Sequence, residues 1–482
     1  MLPAIAQADP PLYRVTSLGK LSGDPNGGSS EAYALNDLGQ VVGESLLQIQ
    51  GSHPVHAFLW LPVEVAVWGL GQGMHDLGLI EGDPPAANSE ARDINESGQI
   101  VGTSNGRAFV WFPEYFGEPF PVKQPWPLPR FGTGEETQGW ALDDGNPLRV
   151  VGWGVDGPCP DDARFNRELG FLWRSNYWGF LIAIEPPDDW TDSNIFAINP
   201  NATQRLVLGG WADYCGPFND SSEYVAIGLD AGPTVSLILP PGFEGPHAQA
   251  RDVTDEGELV GWAKDEDNQS LQRALYWETV TSSPVNLHTA AQIPAGDATL
   301  AEAIGRPAPD GVPYVVGWNR TANTALLWKR DSQGQWSVED LNELIGTHAQ
   351  DDWDLREAHD INNSAWIVGW GLYDGDHRAF LLSTAKDCPW DLDFDGDVDT
   401  GDLLILLGNW GYCPEGEICW SDIDMDGDVD TADLLFGLLA HWGECGIGGG
   451  EVPQNVQDCI DRFGFDPVAL EACIEAVTGG LD

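Results

Sequence analysis

A recurring phrase in the first 384 residues is the feature that most constrains the fold of this chain. Its clearest copy spans residues 34–43 (ALNDLGQVVG) and is followed by residues 56–60 (HAFLW). Each copy ends on a glycine, and seven such marker glycines follow one another at spacings of 50 to 59 residues. They are Gly43, Gly102, Gly152, Gly210, Gly261, Gly317 and Gly369. A period of this length predicts an array of seven similar structural units.

Each unit has the sequence pattern of a small β-sheet. Short apolar runs flank an Asn/Asp-x-x-Gly turn, which favours a hairpin, and each marker glycine suits the end of a strand where backbones crowd together. The pattern gives about four strands in about 50 residues, the proportions of a β-propeller blade. We therefore predict a mainly β fold, a seven-bladed β-propeller over residues 12–384. Residues 13–18 have the character of a strand that the seventh unit lacks, and their pairing beside residues 380–382 would close the ring.

The repeated phrases resemble the HAF-type repeat of bacterial extracellular proteins. The resemblance rests on His56-Ala57-Phe58 and on the strand pair that residues 93–102 (DINESGQIVG) show most clearly. It covers residues 12–384 and is closest in units one, two, five and seven. The resemblance implies a propeller-like fold and secretion, and it implies no particular reaction.

Two similar acidic segments, at 391–402 and 422–433, carry the most specific chemical signal. An EF-hand loop places calcium ligands at positions 1, 3, 5, 7, 9 and 12, with Gly at position 6, where this chain has Gly396 and Gly427. The alternative is a solvated, disordered acidic run. Val398 and Val429 at position 8, and the apolar helical pattern after each loop, favour two calcium sites. The predicted ligands are Asp391, Asp393, Asp395, Asp397, Asp399, Asp402, Asp422, Asp424, Asp426, Asp428, Asp430 and Asp433.

The paired loops resemble a type I dockerin, because a short carboxylate closes each loop and the loop–helix unit is present twice. We assign residues 387–445 to this small α-helical calcium-binding domain. The resemblance implies binding to a cohesin domain on a scaffold protein. Loop positions 10 and 11 are Thr400-Gly401 and Thr431-Ala432 instead of the family's hydroxyl pair. Two classes of partner therefore stay open, a cohesin-like protein and a cell-surface component.

The eight cysteines indicate an oxidising compartment. None forms a CxxC motif, which argues against zinc, and one pair brackets each calcium loop and its helix, which favours structural disulfides. A last segment, residues 454–482, has the pattern of a helical hairpin with a cysteine in each helix. Residues 1–8 resemble the end of a secretory signal. We expect a secreted or cell-surface protein with the disulfide candidates Cys159, Cys215, Cys388, Cys413, Cys419, Cys445, Cys459 and Cys473.

The charge and hydropathy of the chain argue against nucleic-acid and membrane partners and against a transmembrane helix. A formal net charge of −54 disfavours nucleic acid and anionic membranes, because like charges repel. No apolar run of about 20 residues is present, so we expect no transmembrane helix. The recurring aromatic residues are expected to pack between blades, and binding of carbohydrate by aromatic residues is the alternative.

The sequence predicts a secreted, non-catalytic binding or scaffold protein that is attached through its calcium-binding domain. The alternative is an extracellular glycoside hydrolase or polysaccharide lyase, whose acidic residues could lie on several blades and escape a motif search. The two hypotheses differ in what they expect at the mouths of the ring. An enzyme should have a cluster of non-repeating Asp, Glu, His or Arg there, and a scaffold should have only residues of the repeat.

Overall fold

The chain consists of two compact units, Met1–Ser383 and Thr384–Asp482. The predicted signal-like segment at residues 1–8 and the predicted hairpin at residues 454–482 lie outside the described residues. The computed structural model describes residues 13–21, 28–47, 53–62, 68–114, 123–131, 136–159, 166–177, 181–184, 192–200, 207–213, 222–228, 235–236, 248–265, 271–307, 311–331, 333–345, 350, 352–384, 390, 397–398, 400–412, 421–422, 428–439 and 442–444.

The described part of the first unit contains seven four-stranded sheets, numbered here along the chain. Strand β1 (Tyr13–Ser17) precedes them and belongs to the last sheet. Sheets 1 to 3 consist of β2 (Ser30–Leu35), β3 (Val41–Leu46), β4 (Val55–Leu61) and β5 (Gly73–Asp76); β6 (Ser89–Ile94), β7 (Ile100–Ser104), β8 (Arg107–Trp111) and β9 (Trp126–Pro127); and β10 (Thr137–Leu142), β11 (Arg149–Pro158), β12 (Asn166–Arg174) and β13 (Ile182–Ile184).

Sheets 4 to 7 repeat the same order, with a short helix after the last strand of sheets 5 and 6. They consist of β14 (Asp192–Ile198), β15 (Val207–Asp213), β16 (Ser222–Gly228) and β17 (Val235–Ser236); β18 (Ala248–Val253), β19 (Leu259–Lys264), β20 (Gln272–Trp277) and β21 (Val285–Asn286), then α1 (Leu287–Ala290); β22 (Thr299–Gly305), β23 (Tyr314–Asn319), β24 (Thr324–Arg330) and β25 (Trp336–Asp340), then α2 (Leu341–Leu344); and β26 (Trp353–Ile361), β27 (Ile367–Tyr373) and β28 (Asp376–Thr384).

The sheets form a closed ring. Strand β1 is hydrogen-bonded next to β28, as the sequence predicts for residues 13–18, and the Leu18 amide donates to the Ala379 carbonyl at 3.0 Å. Sheet 7 also contacts sheet 1, because the Leu35 amide donates to Asp360 Oδ2 at 2.8 Å. A ring of four-stranded sheets in which the last sheet includes the first strand of the chain is a β-propeller. This arrangement leaves few sheet edges exposed.

The core of the propeller lies between neighbouring sheets. Each of the large apolar clusters combines residues of two consecutive sheets. The tryptophans that end the HAFLW-type strands belong to these clusters and are at most 6 % exposed; they are Trp60, Trp111, Trp173, Trp277 and Trp328. The expectation that the recurring aromatic residues pack between sheets is confirmed for these five.

A β-bulge explains why every unit needs its marker glycine. The register of each first strand shifts beside the marker glycine, for example between Ala91 and Asp93 in β6, so one residue there has no cross-strand partner. The longer strand β26 has a second shift, between Leu355 and Glu357. The marker glycine on the second strand lies opposite the bulge that all first strands share, and a Cβ atom on Gly102 would lie 2.0 Å from the Glu90 carbonyl oxygen. The corresponding distance is 1.9 to 2.0 Å at all seven marker glycines. The predicted crowding is real, but it arises within the strand rather than at its end.

The Asp-Ile-Asn phrase of the repeat connects one sheet to the next. Asp93 Oδ2 accepts the Leu142 amide at 2.9 Å, and Asn95 Nδ2 donates to the Asp143 carbonyl at 2.9 Å. Asp252 and Asp360 accept amide hydrogens of the following sheet in the same way. A buried carboxylate with two backbone donors is well satisfied, so this phrase is a structural signature of the ring.

The described part of the second unit is a small, internally repeated domain. Helix α3 (Thr400–Gly408) and a helical segment of π type (Asp433–Leu438) follow the two acidic segments. Strand β29 (Asp397–Val398) pairs with β32 (Gly443–Glu444), and β30 (Gly411–Tyr412) pairs with β31 (Asp428–Val429). Val398 and Val429, the apolar anchors predicted for the two loops, are both fully buried in one apolar cluster.

One inserted residue accounts for the unusual turn of the second helix. The first loop–helix unit runs from Val398 to Trp410, and its copy from Val429 to Trp442 is one residue longer. A π-type turn accommodates one extra residue inside a helix. The residues after the second helix, including Trp442, can therefore still pack against the core that contains Val429.

Candidate functional site

The first strands of all seven sheets line one cavity of 780 Å³ at the centre of the ring. The bulge residue of each strand contributes its side chain to the wall. These residues vary between units, whereas the residues on either side are limited to Gly, Ala, Ile and Asp. The bulge residues are Tyr33, Arg92, Trp140, Phe196, Arg251, Glu302 and His359. We call this set the axial ring.

Aromatic and cationic side chains of the axial ring stack on one another. The Arg92 guanidinium lies 4.2 Å from the ring centroid of Tyr33 and 4.7 Å from that of Trp140. Arg251 lies 5.1 Å from the centroid of Phe196. Cation–π contacts of this kind fix both partners in position, so the wall of the cavity is preorganised.

Ion pairs hold the charged members of the axial ring. Arg251 Nε donates to Glu302 Oε2 at 2.7 Å, between sheets 5 and 6. His359 Nδ1 lies 2.8 Å from the Ala32 carbonyl oxygen, which can only accept, so this nitrogen carries a proton. Its other nitrogen lies 3.4 Å from Glu357 Oε2.

Glutamate residues surround His359 and shift the local pKa values. Burial raises the pKa of Glu31, and it raises the pKa of Glu44 to about 7 with the like charge of Glu90 as a further cause. Burial acts to lower the pKa of His359, but the hydrogen bond with Glu357 and the charge of Glu31 outweigh it, so the pKa is raised. These groups lie in sheets 7, 1 and 2. Three of the glutamates, Glu31, Glu90 and Glu357, occupy the same position of the repeat, two residues before the bulge. The cluster is therefore only partly the non-repeating set that the enzyme hypothesis expects.

A chain of carboxylates follows the turns at one mouth of the cavity. The Asp37 amide donates to Glu96 Oε1 at 3.0 Å, and the Glu96 amide donates to Asp144 Oδ1 at 3.0 Å. Burial raises the pKa of Glu96 to about 6, and the backbone hydrogen bond lowers it in part. Eleven acidic residues and three arginines line the described cavity in total, so its wall is acidic.

Two tryptophans in the cavity wall have buried donors without a partner among the described residues. They are Trp140 and Trp318, and the Nε1 atom of each is enclosed and makes no hydrogen bond. Arg92 Nε is in the same situation. Buried donors are nearly always satisfied in folded proteins; these three are exceptions among the described residues, as is Trp328 in the core between sheets 5 and 6.

Some of the predicted calcium ligands lie among the described residues, and others do not. Asp402 and Asp433, the carboxylates that close the two loops, are 0 % and 1 % exposed, which suits groups that would hold a cation. The described residues contain no group of three or more His, Cys, Asp or Glu side chains that could hold a metal ion. Asp391, Asp393, Asp395, Asp399, Asp424 and Asp426 lie outside the described residues, so calcium binding stays a prediction.

The cysteine predictions are also mostly outside the described residues. Cys159 is 3 % exposed and disulfide-bonded, and its predicted partner Cys215 is not among the described residues, so the pairing stays a prediction. The same holds for the other six candidates. Within the described residues no helix is long and apolar enough to cross a membrane.

Comparisons with known proteins found only distant structural similarity. No protein-family model and no curated protein matches the chain. The β-propeller domain of the trilobed protease from Pyrococcus furiosus is 8 % identical, with a TM-score of 0.40 over 73 % of this chain and 93 % of that domain. An oligogalacturonate lyase in complex with manganese is 10 % identical, with a TM-score of 0.35 over 78 % of this chain and 96 % of the lyase.

A third solved structure is matched over only part of its length. It is a puromycin hydrolase, 13 % identical, with a TM-score of 0.44 over 72 % of this chain and 50 % of the hydrolase. The ring of sheets by itself defines the class of this fold, a β-propeller, and these similarities assign no activity to this chain.

The axial ring was not predicted from the sequence. A usable signal was nonetheless present, because each of these residues stands three positions before the first turn residue of its unit, and the residue type at this position varies between units. Those turn residues are Asn36, Asn95, Asp143, Asn199, Thr254, Gly305 and Asn362. A position that varies freely inside an otherwise constant repeat is where a repeat protein carries specificity.

Proposed function

We propose that this protein is an extracellular, non-catalytic binding protein. Its propeller binds a small ligand in the axial cavity, and its C-terminal domain binds two calcium ions and attaches the protein to a partner. The supporting observation is the axial ring, in which seven side chains of different chemistry line one cavity on a nearly constant backbone frame. Preformed concave sites with a few fixed polar groups are typical of ligand binding.

Attachment through the C-terminal domain is supported by an apolar surface formed by α3 and Trp410, which lies two residues after the helix. Leu404, Leu407 and Trp410 are 70 %, 48 % and 46 % exposed, and they follow one another at intervals of three residues. Such a stripe on a helix is typical of a surface that another protein covers. A cohesin-like protein or a cell-surface component would be the partner.

The calcium part of the proposal is tested by titration calorimetry on the full chain. We expect two bound calcium ions per chain, and the loss of one site in each of the variants Asp391→Ala and Asp422→Ala, because each removes the first ligand of one loop. The matched control is Glu81→Ala, an exposed acidic residue of the propeller, which should leave both sites intact. Fewer than two sites in the unmodified chain would contradict the proposal.

A second candidate function is hydrolysis or elimination on a polysaccharide. The observation that favours it is the glutamate cluster around His359, in which Glu44 has a pKa of about 7, suited to a general acid. We prefer binding because Glu44 is not part of the described cavity wall. The wall groups Glu302 and Glu357 are engaged by Arg251 and His359.

A product assay separates the two functions. The purified chain is incubated with a panel of polysaccharides, and new reducing ends and unsaturated products are measured. We expect no product from the unmodified chain. Product formation that the variant Glu44→Gln abolishes, while the variant keeps its thermal transition, would replace the binding function by catalysis.

A further inference from the structure

We propose that a proton held at His359 joins the last sheet of the propeller to the first, and that loss of this proton loosens the contact between them. In this contact β26 of sheet 7 meets β2 of sheet 1, and we call it the seam. The inference goes beyond the proposed binding function and involves no ligand. It rests on the geometry of the His359 ring, whose two nitrogens both face oxygen atoms.

One ring nitrogen of His359 crosses the seam. The Nδ1 atom lies 2.8 Å from the carbonyl oxygen of Ala32 in β2, and a carbonyl oxygen can only accept a hydrogen bond. Nδ1 therefore carries the single proton of a neutral imidazole. The ring also stacks on Tyr33 of β2, at 5.5 Å between centroids, so its orientation is fixed by two contacts with sheet 1.

The other ring nitrogen faces two carboxyl groups. His359 Nε2 lies 3.4 Å from Glu357 Oε2 and 3.9 Å from Glu31 Oε1. In a neutral imidazole this nitrogen would present a lone pair to carboxylate oxygens, which can only accept hydrogen bonds, and the contact would be repulsive. A second proton on the imidazole makes the contact a charge-assisted hydrogen bond. The arrangement therefore needs one proton more than a neutral imidazole supplies.

The groups packed around this proton favour it in total. Burial acts to lower the pKa of His359, but the hydrogen bond with Glu357 and the charges of Glu31 and Glu302 outweigh it, so the pKa is raised. Burial lowers the pKa of His377, which lies 3.6 Å from Glu31. The titratable and charged groups around the site are Glu31 and Tyr33 of β2, Glu44 of β3, Glu90 and Arg92 of β6, Glu302 of β22, Glu357 of β26, and His377 and Arg378 of β28.

The sign of the pH effect follows from this raised pKa. A histidine whose pKa is higher in the folded than in the unfolded chain stabilises the folded state fully below its ordinary value of 6.5. That contribution is lost as the pH rises through the folded-state value. The seam should therefore be firm in mild acid and looser in mild alkali.

The corresponding bridge between sheets 5 and 6 should not respond to pH near neutrality. Arg251 occupies the axial position of sheet 5, and its Nε donates to Glu302 Oε2 at 2.7 Å. A guanidinium keeps its proton at all pH values near neutrality. Among the seven residues of the axial ring, His359 is the one whose ordinary pKa lies near neutrality. It stands in the sheet that also contains the first strand of the chain.

The test is hydrogen exchange of the full chain at about pH 6 and about pH 8.5, read by mass spectrometry and corrected for the intrinsic exchange rate. Strand β2 (Ser30–Leu35) reports on the seam, and β22 (Thr299–Gly305) is the reference at the junction of sheets 5 and 6. The opening of β2 should increase with pH by a larger factor than that of β22. We call the factor for β2 its pH ratio.

Two variants assign the response to His359. His359→Gln keeps an amide donor and cannot take up a proton, so its pH ratio should be roughly tenfold smaller, the effect of one charge-assisted hydrogen bond. Glu44 and Asp360, whose pKa values burial raises to about 7, titrate in both chains and cancel in this comparison. Glu357→Gln places an amide donor opposite Nε2, so a neutral imidazole suffices there. Its pH ratio should also fall, and it decides the question if His359→Gln unfolds.

The matched control is Arg251→Gln, which breaks the bridge between sheets 5 and 6. It should increase the opening of β22 by the same factor at both pH values and leave the pH ratio of β2 unchanged. A pH ratio that neither His359→Gln nor Glu357→Gln reduces would overturn the proposal and assign the response to Glu44 and Asp360. Opening of β2 that decreases with pH would overturn it as well. An equal reduction in Arg251→Gln would show that the response does not come from the seam.

Discussion

Replacement of a marker glycine by alanine adds only one methyl group but should strongly destabilise the propeller. In Gly102→Ala the new Cβ would lie 2.0 Å from the Glu90 carbonyl oxygen, 2.9 Å from Phe109 Cζ and 3.0 Å from Ala91 Cα. Two of these three atoms are backbone atoms, which cannot rotate away. The strands must therefore separate by more than about 1 Å to reach an ordinary carbon–oxygen contact of about 3.3 Å.

The size of the effect follows from what this separation breaks. Overpacking a tight site costs about 1–3 kcal/mol, and each backbone hydrogen bond that is lost beside the bulge adds about 1 kcal/mol. With two such bonds lost, we expect a decrease of about 3–5 kcal/mol in the free energy of unfolding. For a unit of this size the entropy of unfolding is about 0.8 kcal/mol/K, so the melting temperature should fall by about 4–6 °C.

The assay is thermal unfolding of the full chain by calorimetry, with Gly71→Ala as the control. No heavy atom lies within 4 Å of a Cβ built on Gly71, and its φ is not positive. This control should be neutral, or stabilising by about 0.4–1 kcal/mol, because alanine restricts the unfolded chain. Equal melting temperatures for Gly102→Ala and Gly71→Ala would refute the explanation of the marker glycines.

Three further perturbations test other parts of the structure. Asp93→Ala leaves the Leu142 amide buried without an acceptor, so the free energy of unfolding in urea should fall by about 1–3 kcal/mol. Burial, with repulsion from Arg273 as a smaller cause, lowers the pKa of His288 from 6.5 to about 4. Between these two pH values the unfolded chain binds the proton more readily than the folded one, so the free energy of unfolding should fall by roughly 2–3 kcal/mol as the pH decreases from 6.5 towards 4. The variant His288→Asn should lack this part of the pH dependence. Digestion without reductant followed by mass spectrometry should recover Cys159 linked to Cys215, and Cys159→Ser should cost about 4 kcal/mol for a loop of this length; a linkage of Cys159 to any other cysteine would show the predicted pairing to be wrong.

The repeat made the fold accessible from sequence, because its signals are local. The Asn-x-x-Gly turns, the alternation in residues 34–43 and the recurring Trp of the third strand each depend on a few neighbouring residues. The position of Val398 and Val429 in the core of the second unit could be predicted for the same reason. These are patterns in which local preference and the final packing agree.

The axial ring could not be predicted because it depends on a departure from the regular pattern. A bulge adds one residue to a strand and breaks the alternation by which inward and outward side chains are told apart. Tyr33 belongs to the first sheet of the chain and His359 to the last, yet their rings stack at 5.5 Å between centroids. Only closure of the ring brings them together, and no local pattern records that contact. The glutamate cluster near His359 was missed for the same reason, since its members come from three sheets.

The bulge has a consequence for how such a protein can change over time. The side chain at the bulge has no cross-strand partner, and the backbone frame beneath it is maintained by the glycine opposite and by the Asp and Asn bridges. A single substitution there alters the wall of the cavity while the bulge, the glycine and the Asp and Asn bridges stay in place. Duplication or exchange of whole units would therefore change the cavity wall one residue at a time on an unchanged backbone.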